Sequence, residues 1–229
     1  MKGLGALALI VLAFGLYLAF FYAPPDAIQG NVQRIMYLHV PSILTAYLAF
    51  FVVFVGSFLY LVRRKAWWDW LAQSSAELGV LFTGIAIATG SIWGRPTWGV
   101  WWTWDARLTT TAILLVIYIG YLMLRAFVED PERGARYAAV LGIIGFLDVP
   151  LIHLSVVWWR TLHQPSSMLR PEGPSIAPPM LFTLYLNIFA YTLLYFYLLK
   201  ERMRLAELQA MAQERARFNV RGSTLNLEP

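Results

Sequence analysis

The chain is 229 residues long, 59% hydrophobic and 14% charged, with a formal net charge of +5. So few polar side chains cannot cover a water-soluble globule of this size, so an ordinary soluble domain is excluded and burial in a bilayer is expected. The lack of cysteine excludes disulfides, thiolate metal sites and thiol redox chemistry by this chain itself.

A helix needs roughly 20 apolar residues to cross a hydrocarbon core about 30 Å thick. Reading for such runs gives six, at about 3–23, 40–62, 77–93, 109–128, 137–157 and 179–199. The first is longer than a signal-peptide core and no small-x-small cleavage pattern precedes Pro24, so it is expected to be a retained span. His39, followed by Val40-Pro41, is placed at or just before the first turn of the second helix. The third run is the weakest: Glu77 stands at its edge and Gly79, Gly84, Ala86, Ala88 and Gly90 dilute it, although small residues suit close helix packing. Asp148 falls well inside the fifth run, where an ionisable group is costly and faces a polar interior or a partner. Beyond the sixth run, Lys200 to Phe218 mixes charges with Leu205, Leu208 and Met211 in a helix-like rhythm, read as a solvated extension or a docking surface for a cytoplasmic partner.

Lysine and arginine accumulate on the cytoplasmic side of membrane proteins. Thirteen of the 18 fall in one set, at the N-terminus, in 63–65, in 125–136 and beyond 199; five, Arg34, Arg95, Arg107, Arg160 and Arg170, fall in the other. The fold expected is therefore all-α and integral to the membrane, with six transmembrane helices and both termini cytoplasmic. A membrane domain, 1–199, precedes a charged tail, 200–229, and a tryptophan-rich external segment, 93–109, joins helices three and four. The positive charge follows from this asymmetry and indicates no nucleic-acid partner.

Trp67, Trp68 and Trp70 beside Arg63-Arg64-Lys65 fit an interfacial belt, and Trp158 and Trp159 fit one less well. Trp93 to Trp104 is denser, with five indoles in twelve residues and Gly94, Pro96 and Gly99 expected to break the chain. Glycines beside large rings allow a flat ligand to approach and the rings to stack on it, which describes a platform for a planar amphiphile; a loop merely anchored by indoles is the plainer reading. Asp105, just before Leu108-Thr-Thr-Thr, can cap the fourth helix and pair with Arg107.

All three histidines, His39, His153 and His163, fall toward the outer half. Neutral imidazole is a usual ligand of haem iron. His39 and His163 are the candidates, with Met36, Met168 and Met180 as lesser alternatives, while His153 reads best as an intramembrane side chain hydrogen-bonded to a neighbouring helix. Arg95, Arg107, Arg160 and Arg170 lie on the same side and can grip carboxylates such as haem propionates.

These residues resemble the WWD family of haem-handling proteins in cytochrome c maturation, whose signature W-G-x-x-W-x-W-D reads here Trp98-Gly99-Val100-Trp101-Trp102-Thr103-Trp104-Asp105. Four stretches narrow the resemblance to the CcmC group, over about 30–200: Arg34 to Pro41, Gly90 to Pro96, Trp104 to Thr109 and Trp158 to Gln164. It implies haem b held by axial His39 and His163 over a platform of Trp98, Gly99, Trp101, Trp102, Trp104 and Asp105. It further implies a multi-pass protein of the bacterial cytoplasmic (inner) membrane with the haem site facing the periplasm. The partners implied are a CcmE-like haem chaperone, a CcmD-like small subunit and a CcmA–CcmB ATPase. The resemblance implies a delivery protein rather than an enzyme, with at most an assisting part in covalent attachment of haem to the chaperone. Two departures stand out: Asp148 occupies a place where the family has a neutral Asn, and the tail past residue 200 is longer than the family core. The competing readings are a membrane subunit of an ATP-driven haem or small-amphiphile exporter, whose ATPase must be another chain because no phosphate loop is present, and a terminal haem ligase, whose relatives are longer.

Overall fold

The computed structural model describes residues 2–159, 161–163, 167–168, 170–171 and 173–225. They form helices α1 (Lys2–Tyr17), α2 (Met36–Arg63), α3 (Ala66–Trp98), α4 (Ala106–Phe127), α5 (Pro131–Phe146), α6 (Asp148–Trp158) and α7 (Pro178–Leu225). A π-helical turn, Leu18–Tyr22, extends α1, and a 3₁₀ turn, Asn31–Ile35, leads into α2. Six segments are long and apolar enough to cross a membrane, α5 and α6 together forming the fifth. The only β pairing among the described residues is an isolated bridge between Asp26 and Gly30.

Three helix boundaries differ from those expected. The third helix is not a short weak run but 33 residues, Ala66–Trp98, with Gly94 and Pro96 inside it. Pro96 deprives only the Ile92 carbonyl of its helical donor. The break comes at Gly99, whose left-handed φ of 82° closes the helix through its N–H to Arg95 O. Trp93, Arg95 and Trp98 are thus helical residues rather than loop residues. The second helix also begins earlier, at Met36, so that Pro41 lies inside it and His39 is already helical. The fifth span is interrupted at Leu147, just before Pro150. α7 runs unbroken past residue 200 as far as Leu225, the helical extension that the rhythm of the tail suggested.

α2 and α3 are joined by only Arg64 and Lys65 and pack along their length, fixed by glycine. A Cβ on Gly79 would collide with the Phe50 ring, and one on Gly56 would lie 3.1 Å from Trp68 O, so each glycine admits a close neighbour. α7 pairs with α1 and also touches α2 and α3. Phe50, Tyr118, Tyr121, Tyr195 and Leu114 centre the bundle, with the Phe50 and Tyr118 rings stacked at 3.8 Å. At one end of the bundle, Arg125 on α4 grips Asp69 on α3 through two hydrogen bonds, 2.6 and 2.8 Å, and adds a third to Gln73. The other end is open.

Candidate functional site

The open end holds a cleft of about 800 Å³, a volume that includes its open mouth. α2 contributes His39, Ile43 and Tyr47, one stripe at successive turns. α3 contributes the small residues Ala86, Gly90 and Gly94 together with Trp93 and Trp98, and α4 contributes Arg107, Leu108 and Thr111. Trp102, Gln29 and His163 complete the lining from the connecting segments.

His39 is held by its backbone neighbours. Its Nδ1 lies 2.9 Å from the carbonyl of Ala86, which can only accept, so Nδ1 carries the proton and Nε2 keeps its lone pair. Gly90 makes this possible: a Cβ there would stand 2.9 Å from His39 Cε1. A ring nitrogen tied to a carbonyl while the other is free is the usual arrangement of a metal-ligating histidine. The Trp93 ring meets His39 edge-on at 5.8 Å, and the Trp93 indole N–H is fixed by Gln29 Oε1 at 2.8 Å. Gln29 is presented in turn by an Asx turn, Asp26 Oδ1 accepting from the backbone N–H of Ile28 and Gln29.

The entry to α2 is anchored by Arg34. In the π turn the Ala23 N–H is given to Leu18 O, and Pro24 has no N–H, so the Ala19 carbonyl lacks a helical donor. Arg34 Nη1 supplies it at 2.6 Å while its Nε donates to Asn31 Oδ1. Sequence reasoning placed Arg34 in a charge count and in a stretch of family resemblance and missed this bond, as it missed Tyr47, Gln29 and Thr111 in the cleft wall. Gly90 was read for helix packing and turns out to seat the imidazole.

The aromatic segment divides into two groups. Trp98 and Trp102 line the cleft, whereas Trp101 and Trp104 are turned out, Trp104 at 78% exposure. Trp98 folds back over Gly94, where a Cβ would meet its ring at 3.2 Å, and lies edge-on to His163 at 6.0 Å. Gly99 supplies the helix stop. Asp105 caps α4 by accepting from Leu108 N at 3.0 Å, as expected. It forms no ion pair with Arg107; its other oxygen accepts from Thr103 Oγ1 and from Leu162 N, 57 residues away, and so holds the His163 strand against the tryptophan segment.

The four arginines do not converge. Arg107 lines the cleft, beside Tyr47, with no carboxylate paired to it among the described residues. Arg95 is exposed and donates to Gly99 O, Arg170 is exposed, and Arg160 lies outside the described residues. None of the three methionines lines the cleft: Met36 is buried and accepts from Gln33 Nε2, and Met168 and Met180 pack in the same apolar cluster. Asp148 is buried with Oδ2 unpartnered. His153 is the correction: it is exposed on the side of α6 rather than hydrogen-bonded to a neighbouring helix.

Flat apolar walls, the open Nε2 of His39, a second imidazole in the lining and a guanidinium with no carboxylate partner among the described residues suit a planar amphiphile that carries a metal and an acid group. Among known proteins, a family model described as heme exporter protein C matches residues 1–218. Relatives named heme exporter protein C from Bradyrhizobium diazoefficiens (43% identical, 84% of this chain and 73% of the relative) and from Haemophilus influenzae (40%, 90% and 84%) are similar along most of their length. A putative cytochrome c biosynthesis ccmC-like mitochondrial protein of Marchantia polymorpha is 39% identical over 78% of this chain and 75% of its own.

Proposed function

The chain belongs to the heme exporter protein C (CcmC) family, multi-pass membrane proteins that handle haem in cytochrome c biogenesis, and from that premise we propose that its cleft is the haem site. The observation that carries the proposal is the His39 tautomer. Nδ1–H bound to Ala86 O directs an unprotonated Nε2 into a cleft to which His163 also contributes. His39 and His163 ligate the iron of haem b, Trp98 and Trp102 form the walls, and Arg107 meets a propionate. Fixing the tautomer beforehand removes an ordering cost from ligation.

The site faces the periplasm from the bacterial inner membrane, consistent with the distribution of lysine and arginine. The recipient is a CcmE-like chaperone, with a CcmD-like subunit and a CcmA–CcmB ATPase as further partners. Trp101 and Trp104, exposed on the rim, offer indole faces to an incoming protein. Delivery needs coordination and release, and no catalytic group of this chain is assigned to it. The test is the Soret spectrum of the protein purified from haem-supplemented cells, with His39→Ala and His163→Ala beside it. A band in the parent that is lost or shifted in each variant, with chaperone loading reduced, is expected; unchanged loading in the double variant overturns the proposal.

A further inference from the structure

The fifth span changes neighbours half-way through the membrane. Its inner half, α5, packs on both α2 and α4, with Gly142 against Ser57 and Val53, and Phe146 against Phe51 and Phe54 at ring separations of 5.8 and 5.0 Å. Past the interruption at Leu147, α6 stays on α4 but has at most marginal contact with α2. The helix face that carries Gly142 and Phe146 continues, at 3.6 residues per turn, through His153 and Val157. On α5 that face is covered by α2; on α6 both of these residues are exposed.

Among the described residues, α2 and α6 therefore part from each other in the outer half of the bundle, leaving a lateral gap between the two helices. Below it the Phe146 pair with Phe51 and Phe54 closes the seam. One lip is α2, where the cleft-lining stripe His39, Ile43, Tyr47 runs beside Leu44 and Phe51, both exposed. The other lip is α6. The helices run antiparallel, so two turns outward from the Phe51–Phe146 contact the register sets Leu44 across from His153, about 7 Å deeper than His39 at 1.5 Å per residue. An imidazole exposed at this depth, with no hydrogen-bond or ion-pair partner among the described residues, is costly in hydrocarbon and points to an intermittent ligand.

We propose that haem enters the cleft sideways from the outer leaflet through the gap between α2 and α6, and that His153 ligates its iron on the way. The proposal rests on the cleft being the haem site and deepens it by naming the route. The step is ligand exchange alone: a bond from a neutral His153 nitrogen to iron forms, then breaks as the His39 Nε2 bond forms, with no change of oxidation state and no proton moved. The flat apolar macrocycle matches a slot walled by Ile43, Ala86, Ile87 and Leu108, and the planar ligand's charged edge stays toward Arg107.

Two haem donors separate this route from its alternatives: haem dissolved in liposomes fused to protein-bearing vesicles, and haem on albumin in the aqueous phase. Uptake is followed by the growth of the Soret band. His153→Phe removes the ligand but keeps an apolar lip, and Leu44→Trp narrows the gap without touching His153; Val116→Trp, on the exposed face of α4, is the control. Both gap variants are expected to slow uptake from the liposomes by about tenfold or more while leaving uptake from albumin and the final spectrum unchanged. Equal rates from liposomes in parent and variants, or equal slowing from both donors, overturn the lateral route. A parent that develops no Soret band from either donor overturns the haem reading itself, a distinct outcome.

Discussion

Gly90→Ala tests the binding geometry without touching a ligand. The added methyl would sit 2.9 Å from His39 Cε1 and 3.3 Å from Nδ1, where about 3.5–4.0 Å is the comfortable separation for such atoms. Gly90 is on α3 and its backbone is locked by helix bonds, so the imidazole must give way by several tenths of an ångström or more. That movement stretches the 2.9 Å bond from Nδ1 to Ala86 O toward the limit at which it counts as a bond. The bond itself contributes about 1 kcal/mol. The larger effect is on the ligand, because removing a partner that orients a metal-bound histidine costs roughly 10–100-fold in affinity. Alanine in a helix is otherwise favoured over glycine by up to about 1 kcal/mol, so thermal stability should hold or rise while haem affinity falls. The comparison is Gly84→Ala on the same helix, where a Cβ meets nothing within 4 Å. Haem titration by Soret absorbance, with melting followed by tryptophan fluorescence, reads both quantities. Equal haem affinity in the two variants would refute the seating of His39 by Gly90.

Further outcomes follow from individual contacts. Asp105→Ala loses the α4 cap and the tie to Leu162, so the melting transition should fall by an amount equivalent to about 0.5–2 kcal/mol, with faster haem dissociation; Asp105→Asn, which can still cap, should recover most of the stability. Arg107→Gln should weaken haem binding about tenfold or more in equilibrium titration, the scale of a lost charge-assisted hydrogen bond, whereas Arg95→Gln, outside the cleft, should leave it unchanged. Arg125→Met strands the Asp69 carboxylate, and because both side chains retain 14% exposure the loss should be below the 3–5 kcal/mol typical of fully buried pairs. Adding Asp69→Asn should restore part of it in a thermal-shift assay.

The number of spans was legible because run length against membrane thickness is a one-dimensional property. Helix ends were less so. Gly94 and Pro96 look like breakers, yet a proline in the last turn of α3 leaves a single carbonyl unmatched, and Gly94 is needed so that Trp98 can fold back over its own helix. The ligand candidates were legible from residue type, since three histidines in the chain leave little choice. Their difference was not: what separates His39 from His153 is a carbonyl 47 residues away in one case and the withdrawal of α2 in the other. Asp105 shows both sides, its cap readable from position and its bond to Leu162 not.

The two proposed ligands are supported unequally, and this bears on what the site does. His39 belongs to a helix pair, α2 and α3, fixed by glycine contacts along its length and by the Arg34 anchor at its entry. His163 belongs to a connecting segment between α6 and α7 rather than to a helix, and its contacts with the tryptophan segment include the 3.3 Å bond from Leu162 N to Asp105 and the edge of Trp98. A protein that retains its haem gains from two rigid ligands, because preorganisation raises affinity at both. A protein that gives haem away needs one ligand whose departure disturbs little else. On the proposed ligation, with the open lone pair on the helical side and the loop-borne imidazole on the side of exposed Trp101 and Trp104, release would start where a recipient can reach, and His39 would keep the macrocycle in the cleft until the exchange is complete.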